Sequence, residues 1–578
     1  MIDLIISFLI LLIPAYLISK IFFKTQLLTS IAISFGILIT SSIFSGLLLN
    51  FLGITTISLW IFYTLLTICL LIFIRSKKIE ILSSVEIKNK ELIIFLIVLI
   101  FFSSLVYMPR HDYAFPDHAD EWSHLSYADK IIDTGHLFNS PYKDKTEVQL
   151  ESGIHIFLSE IFLMTKADIV LNYRYLPAIF FFFTALIIFI TTYNITKKYW
   201  LSILTIVFLA SLKSTAHIMG IWVFAPFSMS FPLIFLFLFI FSEGITERKI
   251  NSIIFSFIIL LTIILFHAST AIMIGIVAGI YLLFNKDYIK KYYIHLSCFF
   301  AFIVISGVLF SKVVWNQSIT EAFLNILKYT FKVAYSYNYF LLYGVIASSF
   351  AIIGLFAVLK KNKLRIYAIF YLFILAYYLI SYLMSYTFYI EYLRIVYLLL
   401  LASVILSAFG VYLIINSIKQ KYIRILGITI FLILMIFFQF NHYYRYDAND
   451  TRDLRNHWQK YIDENDYESL IWLKQSDIKD QKIFSTYLLG NAIPITGNYP
   501  SARTKLMHKI AGEVKDSIAF FNSRNCTFKK EIIQKYNSDY MISPAKINCD
   551  FLNLEYSDKD YIYSVIDSNS TSNISSFK

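Results

Sequence analysis

Apolar and polar positions in this chain alternate on the scale of whole helices. Apolar runs of about 20 residues recur, each long enough to cross a ~30 Å hydrocarbon core. They predict helices at about 2–22, 28–50, 54–74 and 91–108, then at about 173–194, 200–212, 221–242, 250–268, 270–285, 292–311, 339–359, 365–383, 391–415 and 423–440. The apolar pattern is weakest over 200–242, where Lys213, His217 and Pro226 interrupt it and a re-entrant or broken segment would fit. Met1-Ile2-Asp3-Leu4 lacks a basic stretch and a cleavage site, so the first run reads as a transmembrane helix, not a signal peptide.

Basic residues cluster in alternate breaks: Lys20 and Lys24; Arg75, Lys77, Lys78, Lys88 and Lys90; Lys197 and Lys198; Arg248 and Lys249; Lys286, Lys290 and Lys291; Lys360, Lys361, Lys363 and Arg365; Lys419, Lys421 and Arg424. The positive-inside rule puts these in the cytoplasm. With about 14 transmembrane helices, the N-terminus, the 109–172 loop and the 441–578 tail then all fall outside. The expected organisation is a transmembrane domain over 1–440 that includes external loop 109–172, followed by a soluble extracytoplasmic domain over 441–578.

Within the tail, Tyr467–Leu473 reads as an amphipathic helix and Lys482–Thr486 as a strand. A turn-rich piece follows at Thr496–Pro500, then helices near 505–522 and 528–536, the second ended by Asn537. Strands are expected at Tyr540–Ser543 and Tyr561–Val565. Alternating helices and strands suggest a small α/β domain, and the Ser/Asn-rich end after Asp567 reads as disordered.

Composition agrees with a polytopic α-helical membrane protein located in the cell membrane: 58% of residues are hydrophobic, 15% charged, and the mean hydropathy is +0.67. A soluble domain carries roughly 25% charged residues. The net charge of +12 belongs to the cytoplasmic loops, so no nucleic-acid partner is expected. Of four cysteines, Cys69 and Cys298 lie in apolar runs. Cys526 and Cys549 lie in the tail, where an extracytoplasmic location allows a disulfide.

Candidate chemistry concentrates in the external loop, at Asp117-His118-Ala119-Asp120-Glu121-Trp122-Ser123-His124. A helix is expected from Asp120 to Gly135, with Leu125, Ala128, Ile131 and Ile132 at helical spacing and Gly135 as its cap. Asp120 and Glu121 would then sit in the first turn, where acids also serve simply to cap a helix. Five of the eleven histidines (His111, His118, His124, His136, His155) fall in this loop. Such a carboxylate can act as a general base toward an acceptor hydroxyl, or bind a divalent cation such as magnesium or manganese that neutralises a phosphate leaving group. Asp120 and Glu121 are the candidate metal ligands. No zinc-protease spacing occurs. Trp122 and Trp222 read as interfacial anchors.

These residues resemble a known family. Asp120-Glu121 with Ala128, Ile131-Ile132 and Gly135 is similar to the acidic motif in the first external loop of membrane glycosyltransferases of the C-type (GT-C) fold. Those enzymes depend on polyprenyl-phosphate sugars and include protein mannosyltransferase-like and aminoarabinose transferase-like members. Gly153-Ile154-His155 resembles their second loop helix. Tyr173-Arg174-Tyr175-Leu176-Pro177-Ala178 resembles the lead-in to the next transmembrane helix. His267-Ala268-Ser269-Thr270-Ala271 resembles a His-Pro-x-Thr-Ala stretch, with Ala268 in place of proline. Glu391-Tyr392-Leu393-Arg394 resembles a late Glu-Arg-Phe element, although Arg394 follows Glu391 by three positions instead of adjoining it.

The resemblance implies a hexosyl- or pentosyltransferase with a lipid-linked donor and a lipid, glycan or protein acceptor. Asp120 would be the catalytic base or metal partner, Glu121 its neighbour and Asp117 its rival. Arg394 would contact the donor phosphate, with Lys213 and Arg110 as weaker candidates for that task. His124, His155, His267 and Glu391 are further possible site residues; Glu391 can equally pair with Arg394 along one helix face. An oligosaccharyltransferase-like or polymer-ligating enzyme is the alternative within the same class. A lipid or solute transporter would instead place its polar residues at helix midpoints and show inverted repeats.

Overall fold

The structure, a computed structural model, describes residues 2–81, 84–111, 113–137, 139–142, 151–212, 220–285, 345–420, 462–503, 512–558 and 560–566, with 330–332 and scattered positions in 287–339 and 422–437. Lys213, His217 and Cys298, the expected helix at 292–311 and the Ser/Asn-rich end lie outside the described residues.

The chain is a polytopic helical membrane protein. Among the described residues, nine helices are long and apolar enough to cross a bilayer. In order, α1 spans Ile2–Phe23, α2 Leu27–Leu49, α3 Thr56–Lys77 and α4 Asn89–Tyr107. The 109–172 loop supplies α5 (Ala119–Thr134), α6 (Ser152–Thr165) and α7 (Ile169–Tyr173). The bundle continues with α8 (Leu176–Thr196), α9 (Tyr199–Ala210), α10 (Pro226–Glu247), α11 (Ile250–Leu283), α12 (Val345–Leu359), α13 (Arg365–Met384) and α14 (Tyr392–Ser417).

Helices buried all round form the centre, notably α10 and α14, whereas α3 and α4 turn Ile57, Ile72 and Ile97 outward. The expected helix at 200–212 proves to be only 12 residues, α9, or ~18 Å. The interruption at Pro226 is also real: α10 begins there, and 220–225 is an irregular buried segment.

Helix α11 folds back on itself. His267 has non-helical φ/ψ of −156° and 88°. The Phe241 ring in α10 lies 5.9 Å from Phe257 and 6.2 Å from Tyr281. A straight helix would separate Phe257 from Tyr281 by ~36 Å. The chain therefore reverses at His267, and 250–266 and 268–283 are the two expected helices, lying side by side.

The ends of the bundle sort by charge. Tyr193 and Tyr199 donate to the Glu86 and Glu91 carbonyls, Glu86 accepts from the Leu28 and Thr29 amides, and Glu247 pairs with Lys249 and Lys363. These basic breaks share one end. At the other end the loop helices dock: the Ile54 amide donates to Gly135 O (2.7 Å) and Trp60 Nε1 to Met164 O (3.0 Å).

Close packing depends on small residues where α12 crosses α14. A Cβ on Gly354 would stand 1.8 Å from Leu406 O, and one on Gly410 2.0 Å from Phe350 O. Backbone atoms cannot yield as a flexible side chain can. Gly354→Val should therefore destabilise by about 1–3 kcal/mol or more, seen as a lowered unfolding temperature in detergent; an unchanged temperature would contradict this crossing.

In the tail, α15 (Glu464–Gln475), α16 (Gly512–Asn522) and α17 (Cys526–Tyr536) accompany a five-stranded sheet of β3 (Lys482–Phe484), β4 (Tyr499–Pro500), β5 (Tyr540–Ser543), β6 (Leu552–Ser557) and β7 (Tyr561–Val565). Two earlier strands, β1 (Thr330–Lys332) and β2 (Tyr386–Phe388), pair antiparallel in the membrane domain. The tail sheet runs β4-β3-β5-β7-β6, with β4, β3 and β5 parallel and the rest antiparallel. Asn537 caps α17 in the left-handed conformation. Cys526 and Cys549 form a disulfide with their Cα atoms 5.6 Å apart. The tail is seated on the loop: Asn491 O accepts from Ser126 Oγ and Tyr142 Oη, and Lys474 pairs with buried Asp129 at 3.2 Å.

Candidate active site at one end of the bundle

Helix α5 begins one residue earlier than expected and ends as expected, with Gly135 left-handed at φ 69°. Its N-terminus is built around Glu121. That carboxylate accepts from the Asp117 amide (2.7 Å), the His118 amide (3.2 Å) and the Phe224 amide (2.7 Å). Arg110 grips it with two parallel bonds, Nη2–Oε1 2.5 Å and Nη1–Oε2 3.2 Å. Arg110 Nε and Nη2 also donate to Trp222 O. Both side chains are fully buried. A buried ion pair survives only when its hydrogen-bonding capacity is met in this way.

Glu121 thus ties the loop to the 220–225 segment, and four of the five Arg110 N–H groups are spent on Glu121 and Trp222 O. Trp122 and Trp222 are likewise interior, 0% and 2% exposed, and not interfacial anchors. Trp122 Nε1 donates to Pro116 O.

Asp120, one residue earlier, points another way because successive helical residues diverge by about 100°. Its side chain keeps 21% of its exposure. Its amide donates to His118 Nδ1 (3.1 Å), which fixes that imidazole's tautomer. Asp117 is buried beside it, 4% exposed.

Across from Asp120 stands Glu151, which precedes α6 and carries no sequence signal of its own. Burial pushes its carboxyl up to about 8; the Asp120 charge adds to the shift, and the Arg394 guanidinium opposes it. The charges of the loop acid and of the helix-end arginine thus both reach this one carboxyl. Glu151 Oε2 also lies 3.5 Å from His124 Nε2, and His124 Nδ1 is 3.0 Å from His155 Nε2. Burial holds the His155 imidazole neutral.

Arg394 enters from the first turn of α14. Its guanidinium lies 5.1 Å from the Phe227 ring centroid, and the His267 ring 5.2 Å from the same ring. Phe227, near the start of α10, thus brings together Arg394 and the reversal in α11. Glu391 lies 3.8 Å from Arg394, three positions away on the helix, a long contact worth little by itself. His267 Nδ1 is 2.7 Å from Thr270 Oγ1. Asp120, Glu151, His124, His155, Phe227, His267 and Arg394 gather here; Arg110 and Glu121 are committed to each other.

Among the described residues, no group of three or more His, Cys, Asp or Glu side chains is placed to hold a metal ion. Of the expected pair, Glu121 is occupied by Arg110 and three backbone amides, and Asp120 is the more open member.

No protein-family model matches the chain, and no curated protein does. Among solved structures, the oligosaccharyltransferase of Archaeoglobus fulgidus, crystallised in complex with Zn and sulfate, superposes with a TM-score of 0.48 at 12% identity, covering 77% of this chain and 68% of that one. Likeness at that level pairs no residues between the two chains.

Proposed function

We propose that this protein transfers a sugar from a polyprenyl-phosphate-linked donor to an acceptor on the outer face of the membrane. The observation that carries this reading is the shared corner: a partly exposed carboxylate, Asp120, and an arginine, Arg394, from distant parts of the chain, whose charges both reach the Glu151 carboxyl at the ends of membrane helices. An arginine at the end of an apolar helix is costly unless it serves a site, and a guanidinium matches phosphate geometry. The outer location is supported by the basic clusters at the opposite end of the bundle. The Cys526–Cys549 disulfide fits an oxidising compartment.

In this reading the donor phosphate sits against Arg394 and its lipid lies among the helices. An acceptor hydroxyl attacks the anomeric carbon as Asp120 takes its proton. The bond from that carbon to the phosphate oxygen breaks, and the polyprenyl phosphate leaves with the electron pair. One base and one departing phosphate give inversion by single displacement; retention by double displacement would need two carboxylates ≈ 5–5.5 Å apart on the reacting centre. Magnesium or manganese remains a candidate cofactor, but no step here is assigned to it. The acceptor, whether lipid, glycan or protein, would enter from the water side beneath the tail. An oligosaccharide donor would use the same corner.

Arg394→Ala should weaken binding of a polyprenyl-phosphate sugar analogue by about 10-fold or more, the worth of a charge-assisted hydrogen bond. Equal affinity, by titration of the protein in detergent, would remove Arg394 from the phosphate site.

Glu151 predicts a pH dependence. Below about 8 it is protonated and adds no negative charge beside Asp120. As pH rises through about 8, Glu151 ionises, a further negative charge appears, and turnover should fall. Glu151→Gln, which cannot ionise, should keep neutral-pH turnover and lose the alkaline fall. An unaltered alkaline limb in that variant would contradict the assignment.

A further inference from the structure

The two loop helices present matching pairs. His124 follows Asp120 by four residues on α5, and His155 follows Glu151 by four at the start of α6, so each imidazole shares a face with its acid. The rings then meet. His155 Nε2 is 3.0 Å from His124 Nδ1, and His124 Nε2 is 3.5 Å from Glu151 Oε2. His155 meets His124 edge to edge in nearly the same plane (centroids 5.3 Å, planes 29° apart) and stacks on Tyr127 (4.7 Å, 21°). Tyr127 in turn meets Tyr142 edge-on at 5.7 Å. His155 is 3% exposed.

Its second nitrogen, Nδ1, is buried with no hydrogen-bond partner. That asymmetry decides where the protons sit. His155 is neutral, so one of its two nitrogens carries a proton and the other a lone pair. A proton on His155 Nδ1 would leave a buried N–H without an acceptor, at a cost of about 1–3 kcal/mol. A bare lone pair there is the cheaper defect, as it is for backbone groups. His155 therefore carries its proton on Nε2 and donates to His124 Nδ1. His124, accepting at Nδ1, must carry its own proton on Nε2, which faces Glu151.

We propose that His155 and His124 are positioning residues: His155 locks the tautomer of His124, and His124 Nε2–H holds one oxygen of Glu151, turning that carboxyl toward Asp120. This rests on the reading of the Asp120–Glu151–Arg394 corner as the reaction site. Neither histidine touches the reacting atoms. The rigid stack on Tyr127 supplies what a lone surface imidazole lacks, a fixed ring plane.

The test uses the full chain in lipid bilayers with ring-nitrogen-15 histidine and solid-state NMR at neutral pH, with His124→Gln and His155→Leu assigning the two signals. The expected spectrum shows both rings neutral and protonated at Nε2. His155→Gln, whose amide N–H replaces the Nε2 donor, should keep His124 in that form, whereas His155→Leu should release it to a mixture of tautomers. Finding His155 protonated at Nδ1, or His124 unchanged in His155→Leu, would overturn the proposal.

A kinetic arm follows from the same variants. His155→Leu should lower kcat by about 10- to 10²-fold, the cost of a small misplacement, with donor KM unchanged, and His155→Gln should restore it. Full kcat in His155→Leu would also overturn the proposal. The spectra decide it even where no sugar transfer is found, so its failure is distinguishable from failure of the transferase reading.

Discussion

Replacing Asp120 with Asn should reduce turnover by about 10²- to 10⁴-fold, the usual contribution of a positioned general base. Asparagine keeps the size of the side chain and loses the proton acceptor. The Asp120 side chain is partly exposed, and its backbone amide, not its carboxylate, makes the His118 bond. Unfolding temperature and donor affinity should therefore stay near wild type. Turnover, stability and donor binding measured on one preparation check all three; normal turnover in Asp120→Asn would remove Asp120 from the chemistry.

The opposite signature is expected for Arg110→Ala. Removing the arginine leaves Glu121 as an uncompensated buried charge and also frees the Trp222 carbonyl. Breaking one side of a buried pair costs about 3–5 kcal/mol, a large part of a stability of about 5–15 kcal/mol. The loop and the 220–225 segment should come apart together, with activity lost through folding. A double Arg110→Met, Glu121→Leu variant should recover only part, because the Asp117, His118 and Phe224 amides still lose their acceptor. Denaturation midpoints in detergent separate the variants, and an Arg110→Ala protein as stable as wild type would mean the pair contributes nothing.

Adjacent residues thus have opposite characters: Glu121 is interior and structural, Asp120 partly open. Sequence places both in the first turn of one helix but cannot tell them apart, because the distinction depends on Arg110 and Phe224, which arrive from elsewhere in the chain. Glu151 was invisible for the same reason. It is a single acid ahead of an apolar helix, and its raised pKa comes from burial and from Asp120.

What repeats locally was legible. The α5 helix and its Gly135 cap follow from apolar spacing and a glycine, and the two crossings around His267 from two apolar runs. Asn537 ends α17 as a residue tolerant of the left-handed conformation should. Strand β6 was missed although Leu552-Asn553-Leu554-Glu555-Tyr556-Ser557 alternates apolar and polar, the period of a half-exposed strand. His124 and His155 were legible as candidate site residues, whereas the contact between their rings depends on how α5 and α6 lie against each other.

The most direct test is donor consumption. Purified protein in lipid would be offered a panel of polyprenyl-phosphate sugars with a crude envelope acceptor fraction, and release of free polyprenyl phosphate followed over time. The Asp120–Arg394 corner predicts that one donor is converted, with sugar appearing on the acceptor in equal amount. Binding and consumption of none of them, with solute or proton flux through the same preparation instead, would contradict it and favour a transporter.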